Sequence, residues 1–93
     1  MIDFDGHAKL GDFGLCKINL EYYDLTYSYC GSEEYMAPEV KAENGYNYSV
    51  DFYTLGSFSY ELVMGVPPFF NNEPLCFRED ATDEYIELVT RLI

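Results

Sequence analysis

The sequence predicts an α+β chain that is mainly helical, with a small N-terminal β-hairpin and a long loop behind it. Three observations carry this reading. Ile2 with Phe4 and Ala8 with Leu10 flank Asp5-Gly6, a dipeptide suited to the positive backbone angles of a tight turn, so residues 1–12 read as a hairpin. Residues 16–34 mix Asn, Asp, Ser, Gly and tyrosines without sustained periodicity, which reads as a loop long enough to be functional. Two later stretches, 49–65 and 82–93, carry start and stop signals of helices.

Between loop and helices, Glu39–Glu43 forms a short helix after Pro38, stopped by Asn44-Gly45. Ser49 offers an N-cap and Asp51 a first-turn acid for the central helix, which runs to Met64 and stops at Gly65 and Pro67-Pro68. Its apolar residues, among them Phe52, Leu55, Phe58 and Leu62, point around much of the cylinder, so it is expected in the middle of a domain. Residues 69–81 are irregular. The final helix opens near Thr82, with Asp83 and Glu84 in its first turn, Arg91 in its last, and a stripe of Ile86, Val89 and Leu92 or Ile93.

Seventeen acidic against five basic residues leave a net charge of -12, which repels nucleic-acid phosphates and anionic lipid. Neither partner is expected. No apolar run approaches the roughly 20 residues that cross a bilayer, and no signal-like segment follows Met1, so a cytoplasmic or nuclear location is expected. Cys16, Cys30 and Cys76 form no C-x-x-C pair and read as reduced thiols. His7 reads as a turn residue.

Asp12-Phe13-Gly14 follows the hairpin and Ala37-Pro38-Glu39 follows the long loop, the order in which these motifs bracket the activation segment of protein kinases. Gly45-Tyr46, Val50-Asp51-Phe52-Tyr53-Thr54-Leu55-Gly56, Tyr60-Glu61-Leu62 and Gly65-Val66-Pro67-Pro68-Phe69 continue the pattern. Together they make the chain resemble part of a protein kinase domain, from the metal-binding loop through the activation segment (12–39) into the C-terminal lobe. Asp5-Gly6-His7, Leu15-Cys16-Lys17, Tyr29-Cys30-Gly31-Ser32 and Glu73-Pro74-Leu75-Cys76-Phe77 are similar to AGC-group Ser/Thr kinases, in particular the serum/glucocorticoid-regulated kinases and their fungal counterparts.

The resemblance implies an enzyme that moves the γ-phosphate of ATP, with Mg2+, to Ser or Thr of protein substrates, itself switched on by an upstream kinase. Phosphoryl transfer needs metal ions to neutralise the nucleotide phosphates, and a carboxylate on a tight loop is a hard oxygen ligand. Asp12 is implied as that ligand, with Phe13 and Gly14 beside the nucleotide; read by itself, Asp12 is a turn or cap residue. Ser28 aligns with the phosphoacceptor of the activation loop. Ser32 keeps a hydroxyl that supports the catalytic aspartate, while Glu33 stands where a small residue or Pro is usual. Asp51 is implied to anchor the catalytic loop and Glu39 to pair with an arginine beyond Ile93; read alone, Asp51 is a helix N-terminal acid.

The Gly-rich loop, the strand lysine with its helix glutamate, and the catalytic loop that the family requires have no counterpart among these residues. Relatives also carry further residues between Asn72 and Glu73. The chain on its own is therefore expected to be inactive. A non-enzymatic, kinase-derived interaction module using the activation segment and central helix is the alternative.

Overall fold

A computed structural model describes residues 1–93. Its order is carried by three helices, α1 (Pro38–Lys41), α2 (Ser49–Met64) and α3 (Asp83–Leu92), with 3-10 turns at Glu33–Tyr35 and Phe70–Asn72. Pro38 opens α1, where its missing N–H costs nothing. Glu43 and Gly45, both at positive φ, turn the chain away.

The start of α2 differs from expectation. The Asn47 side-chain oxygen accepts the Ser49 N–H at 2.9 Å, so Ser49 is the first helical residue and Asn47 satisfies its donor. Gly65, left-handed at φ 79°, ends the helix and donates to the Glu61 carbonyl. In α3 the Thr82 hydroxyl accepts the Tyr85 N–H at 3.3 Å, and Arg91 reaches Glu87 one turn back at 2.7 Å.

The N-terminal β-hairpin does not form. The Asp5-Gly6 turn is present, with Gly6 at φ 85°, yet only the single antiparallel bridge Ile2–Ala8 closes across it. Two causes act together. Asp3 Oδ1 takes the N–H groups of Asp5 and His7 at 3.1 and 2.8 Å, a local alternative to a strand ladder. Ile2 is 78% exposed, and an isolated two-stranded ribbon without a surface to pack on is marginal in water. The one other bridge, Thr26–Tyr46, ties the loop to the turn before α2.

Two small clusters hold the chain. Met36, Ala37 and Val40 pack with Tyr46, Val50 and Tyr53 around the N-terminal half of α2. The other cluster is where α3 crosses α2 over Val89, Ser57 and Tyr60. The Tyr60 hydroxyl donates to the Cys76 carbonyl at 2.7 Å and accepts the Cys76 N–H at 3.3 Å, and Tyr85 donates to the Ser59 carbonyl at 2.8 Å. Tyr60, Phe77 and Tyr85 stack edge to face, with centroids 5.6 and 6.2 Å apart.

Expected at the middle of a domain, α2 instead buries one side only. Phe52, Leu55, Phe58 and Leu62 are exposed, because α3 and the 33–40 segment cover other parts of α2. With 8 of 93 residues buried, the packing is thin. The radius of gyration of 14.6 Å exceeds the roughly 12 Å of a compact domain this long. Phe69, Asn71 and Asn72 are all left-handed, at φ 56°, 54° and 62°, a strained run just before Glu73.

A Cβ on Gly56 would lie 2.7 Å from Leu92 Cβ and 2.9 Å from Ile93 Cγ1. In an open helix, replacing Gly gains up to about 1 kcal/mol of propensity. Here the added atoms must push α3 off α2, and overpacking typically costs about 1–3 kcal/mol. Gly56→Val is expected to lower the urea midpoint, and an unchanged or raised midpoint would show that α3 does not seat there.

Candidate functional site

The long loop descends from Asp12 to the buried Met36-Ala37 step, and its two ends have different surroundings. At the start, Asp12 adopts φ 61°, a left-handed conformation that Asp tolerates better than most residues. It is exposed, and a Cβ on Gly14 would sit 3.5 Å from its Oδ1, so the carboxylate folds back over the turn it opens. Phe13 is 61% exposed and packs into neither cluster.

The lower part of the loop is tied down. The Tyr46 hydroxyl donates to the Ser28 carbonyl at 2.6 Å, which holds Ser28 half-buried. Gly14, Lys17, Ser28 and Cys30 line a hollow of about 240 Å³. A larger open groove of about 540 Å³ runs beside it, and Cys30, Ser32, Tyr35, Asp51 and Thr54 are on its walls. Ser32 and Asp51, 19 positions apart in sequence, therefore share one groove, because the turn at Glu33–Tyr35 lies against α2. Asp12 and Phe13 line neither space.

Glu39, the second residue of α1, is half-buried and outside every ion pair of the chain. Arg78 pairs with Asp80 and Arg91 with Glu87. Burial raises the Tyr53 pKa, Ser57 partly offsets it, and the Glu39 charge adds to the rise. Cys16, Cys30 and Cys76 are free thiols. No helix is long and apolar enough to cross a membrane.

One functional carboxylate escaped sequence reasoning. Tyr35 donates its hydroxyl to Glu61 Oε2 at 2.7 Å, fastening the turn at Glu33–Tyr35 to the second half of α2. An acid inside a largely apolar helix was the available signal. Glu33, Glu34 and Glu61 thus gather acidic charge around the turn at Glu33–Tyr35, outside the groove lining.

The protein kinase domain profile matches residues 1–91, nearly the whole chain. The chain belongs to the protein kinase family. Among similar proteins, the Aspergillus fumigatus serine/threonine protein kinase ypkA is 46% identical over 89 residues, covering 96% of this chain and 13% of its own length. Serine/threonine-protein kinase YPK1 of Saccharomyces cerevisiae is 40% identical over 106 residues, 98% of this chain and 16% of that protein. Human Serine/threonine-protein kinase Sgk1 is 36% identical over 104 residues, 100% of this chain and 24% of that protein. Within the kinase family the chain thus groups with AGC Ser/Thr kinases. It spans about an eighth to a quarter of the length of the curated relatives it matches. Against Sgk1 the 104 aligned positions exceed the 93 residues present, so that relative carries residues this kinase chain lacks.

Several phenols, two in the groove and one on α3, have raised pKa values. Tyr35 is raised above the ordinary 10.0 by its bond to the Glu61 carboxylate and then by burial. Tyr46 is raised by burial first and Cys30 next, and Tyr85 by burial first and Tyr60 next. Folded pKa values above the unfolded one mean stability that is complete below pH 10.0 and is lost as pH rises through the folded values. Phenolate absorbance is expected to show a late-titrating class of tyrosines that disappears in denaturant, with the urea midpoint falling above pH 10.0. A single titration step, the same in native and denatured chain, would contradict this.

Proposed function

We propose that this chain is the metal-loop, activation-segment and C-lobe portion of an ATP-dependent protein serine/threonine kinase, and that these residues alone do not transfer phosphate. The carrying observation is the ordered motif series from Asp12-Phe13-Gly14 to Ala37-Pro38-Glu39, in a chain whose Ser32 and Asp51 meet in one groove. In this reading residues 12–39 are the activation segment. Asp12 is the Mg2+ ligand, with Phe13 and Gly14 beside the nucleotide. Ser28 is the phosphoacceptor for an upstream kinase, Ser32 supports the catalytic aspartate, and Asp51 and Glu39 are structural anchors.

The residues present fit one share of a magnesium site. Asp12 offers one exposed hard carboxylate, whereas Mg2+ in such sites takes one or two carboxylates together with phosphate oxygens and water. Bound Mg2+ and ATP would supply charge neutralisation and the phosphoryl group. This chain contributes the carboxylate and the acidic residues around the turn at Glu33–Tyr35. Glu33, Glu34 and Glu61 favour protein substrates with basic residues, since complementary charge steers and orients encounter. Phosphoryl transfer depends on positioning of several groups at once, and Asp12 lines neither the groove nor the hollow.

A second reading has its own observation. The face of α2 bearing Phe52, Leu55, Phe58 and Leu62 is exposed, as the surface of a non-enzymatic interaction module would be. Full-length transcript sequencing separates the two: an in-frame His-Arg-Asp loop and Gly-rich loop upstream support the kinase, and their absence supports the module.

The purified chain, incubated with Mg·ATP and a basic peptide, is expected to transfer no phosphate above the protein-free rate. Transfer that Asp12→Asn abolishes would overturn the inactivity of the isolated residues.

A further inference from the structure

We propose that Tyr23 is a phosphoacceptor for a protein-tyrosine kinase that selects acidic segments, and that its phosphate releases the loop from α2. Glu21-Tyr22-Tyr23-Asp24 is a turn closed twice, by the Asp24 N–H on the Glu21 carbonyl at 3.0 Å and by the Glu21 N–H on Asp24 Oδ2 at 3.1 Å. Tyr23 stands at its tip, 89% exposed, with acids on both sides.

Other acid-flanked tyrosines are occupied. Tyr35 donates to Glu61, Tyr60 to the Cys76 carbonyl and Tyr85 to the Ser59 carbonyl. Tyr22 is held between two rings, 4.8 Å from Tyr23 and 5.6 Å from Tyr48, which in turn lies 6.2 Å from Phe52 of α2, whereas Tyr23 meets one ring only, at the outer end of this series. Tyr27, exposed as well, lacks acidic neighbours, and its ring covers Gly45. A kinase acceptor must reach an active site as a free hydroxyl on an accessible backbone, and Tyr23 alone joins that access to an acidic flank.

In the step, Tyr23 Oη forms a bond to the γ-phosphorus of ATP, the bridging bond to the β-phosphate breaks, ADP leaves and the phenolic proton passes to the partner kinase's base. The product adds about 1.5–2 negative charges at neutral pH. It stands beside Glu21 and the Asp24 carboxylate that closes the turn, so like-charge repulsion opens the turn and draws Tyr22 from Tyr48. The proposal is independent of any phosphotransfer by this chain.

The full chain is to be treated with Mg·ATP and a purified soluble tyrosine kinase that prefers acidic peptides, with a reaction lacking that kinase as control. Labelling of Tyr23 is expected to exceed that of any other tyrosine by about tenfold or more, since a bonded hydroxyl reacts only in the locally opened fraction. Tyr23→Phe removes the label, Tyr22→Phe keeps it, and amide exchange at Glu21 and Asp24 quickens in the phosphorylated chain. Uniform labelling of the tyrosines, label centred elsewhere, no label while an acidic control peptide is phosphorylated, or unchanged exchange after modification would each overturn the proposal.

Discussion

The close approach of α3 to α2 at Gly56 is the constraint on which the rest of this chain depends. Only a residue without a side chain lets Leu92 and Ile93 settle against the α2 backbone. That seat brings Val89 over Ser57 and puts Tyr85 within reach of the Ser59 carbonyl. It also gives Tyr60 a dry enclosure in which its hydroxyl serves both the carbonyl and the N–H of Cys76, so the irregular stretch before α3 is fixed by one side chain. Few apolar side chains are buried, so these directed contacts fix the geometry at a place where hydrophobic area alone would leave several packings open.

From that axis the order fades toward the N-terminus. The 36–40 segment is packed against α2 and Ser28 is held by Tyr46, but Asp12 and Phe13 stand clear of both clusters. The loop from Asp12 to Tyr35 is thus ordered from its far end backwards. This matters for chemistry, because a metal-binding carboxylate contributes to phosphoryl transfer in proportion to how well its position is set. In this chain the groove end of the loop is set by α2, and the Asp12 end by a two-residue turn.

Helix existence and the family pattern were legible from the chain because they rest on local signals: Thr82, Gly65 and Pro38 stop or start helices wherever they stand. What stayed hidden is decided by neighbours. The hairpin pattern of residues 1–12 was sound as a turn, yet Ile2 and Phe4 have no surface to cover. Apolar residues on all sides of α2 implied burial on all sides, and the 93 residues supply cover for one. Tyr35 and Glu61, 26 positions apart, carry no mark of each other in the sequence. The left-handed run Phe69–Asn72 falls where relatives were expected to carry extra residues, as a shortened connection with tightened backbone would.

Charge sets the remaining balance. With -12 on 93 residues, self-repulsion opposes every compaction, and the five cations are few. Lys9 is drawn to Asp3, Arg78 to Asp80 and Arg91 to Glu87, all local pairs near the surface that add little to tertiary stability. None reaches Glu39, which is half-buried. A charge in that position is tolerable only where water still reaches it, which limits how tightly α1 can close on α2. Glu33, Glu34 and Glu61 form no ion pair either: Tyr29 donates to Glu33 and Tyr35 to Glu61, and the rest of their charge is left to water or to a basic partner.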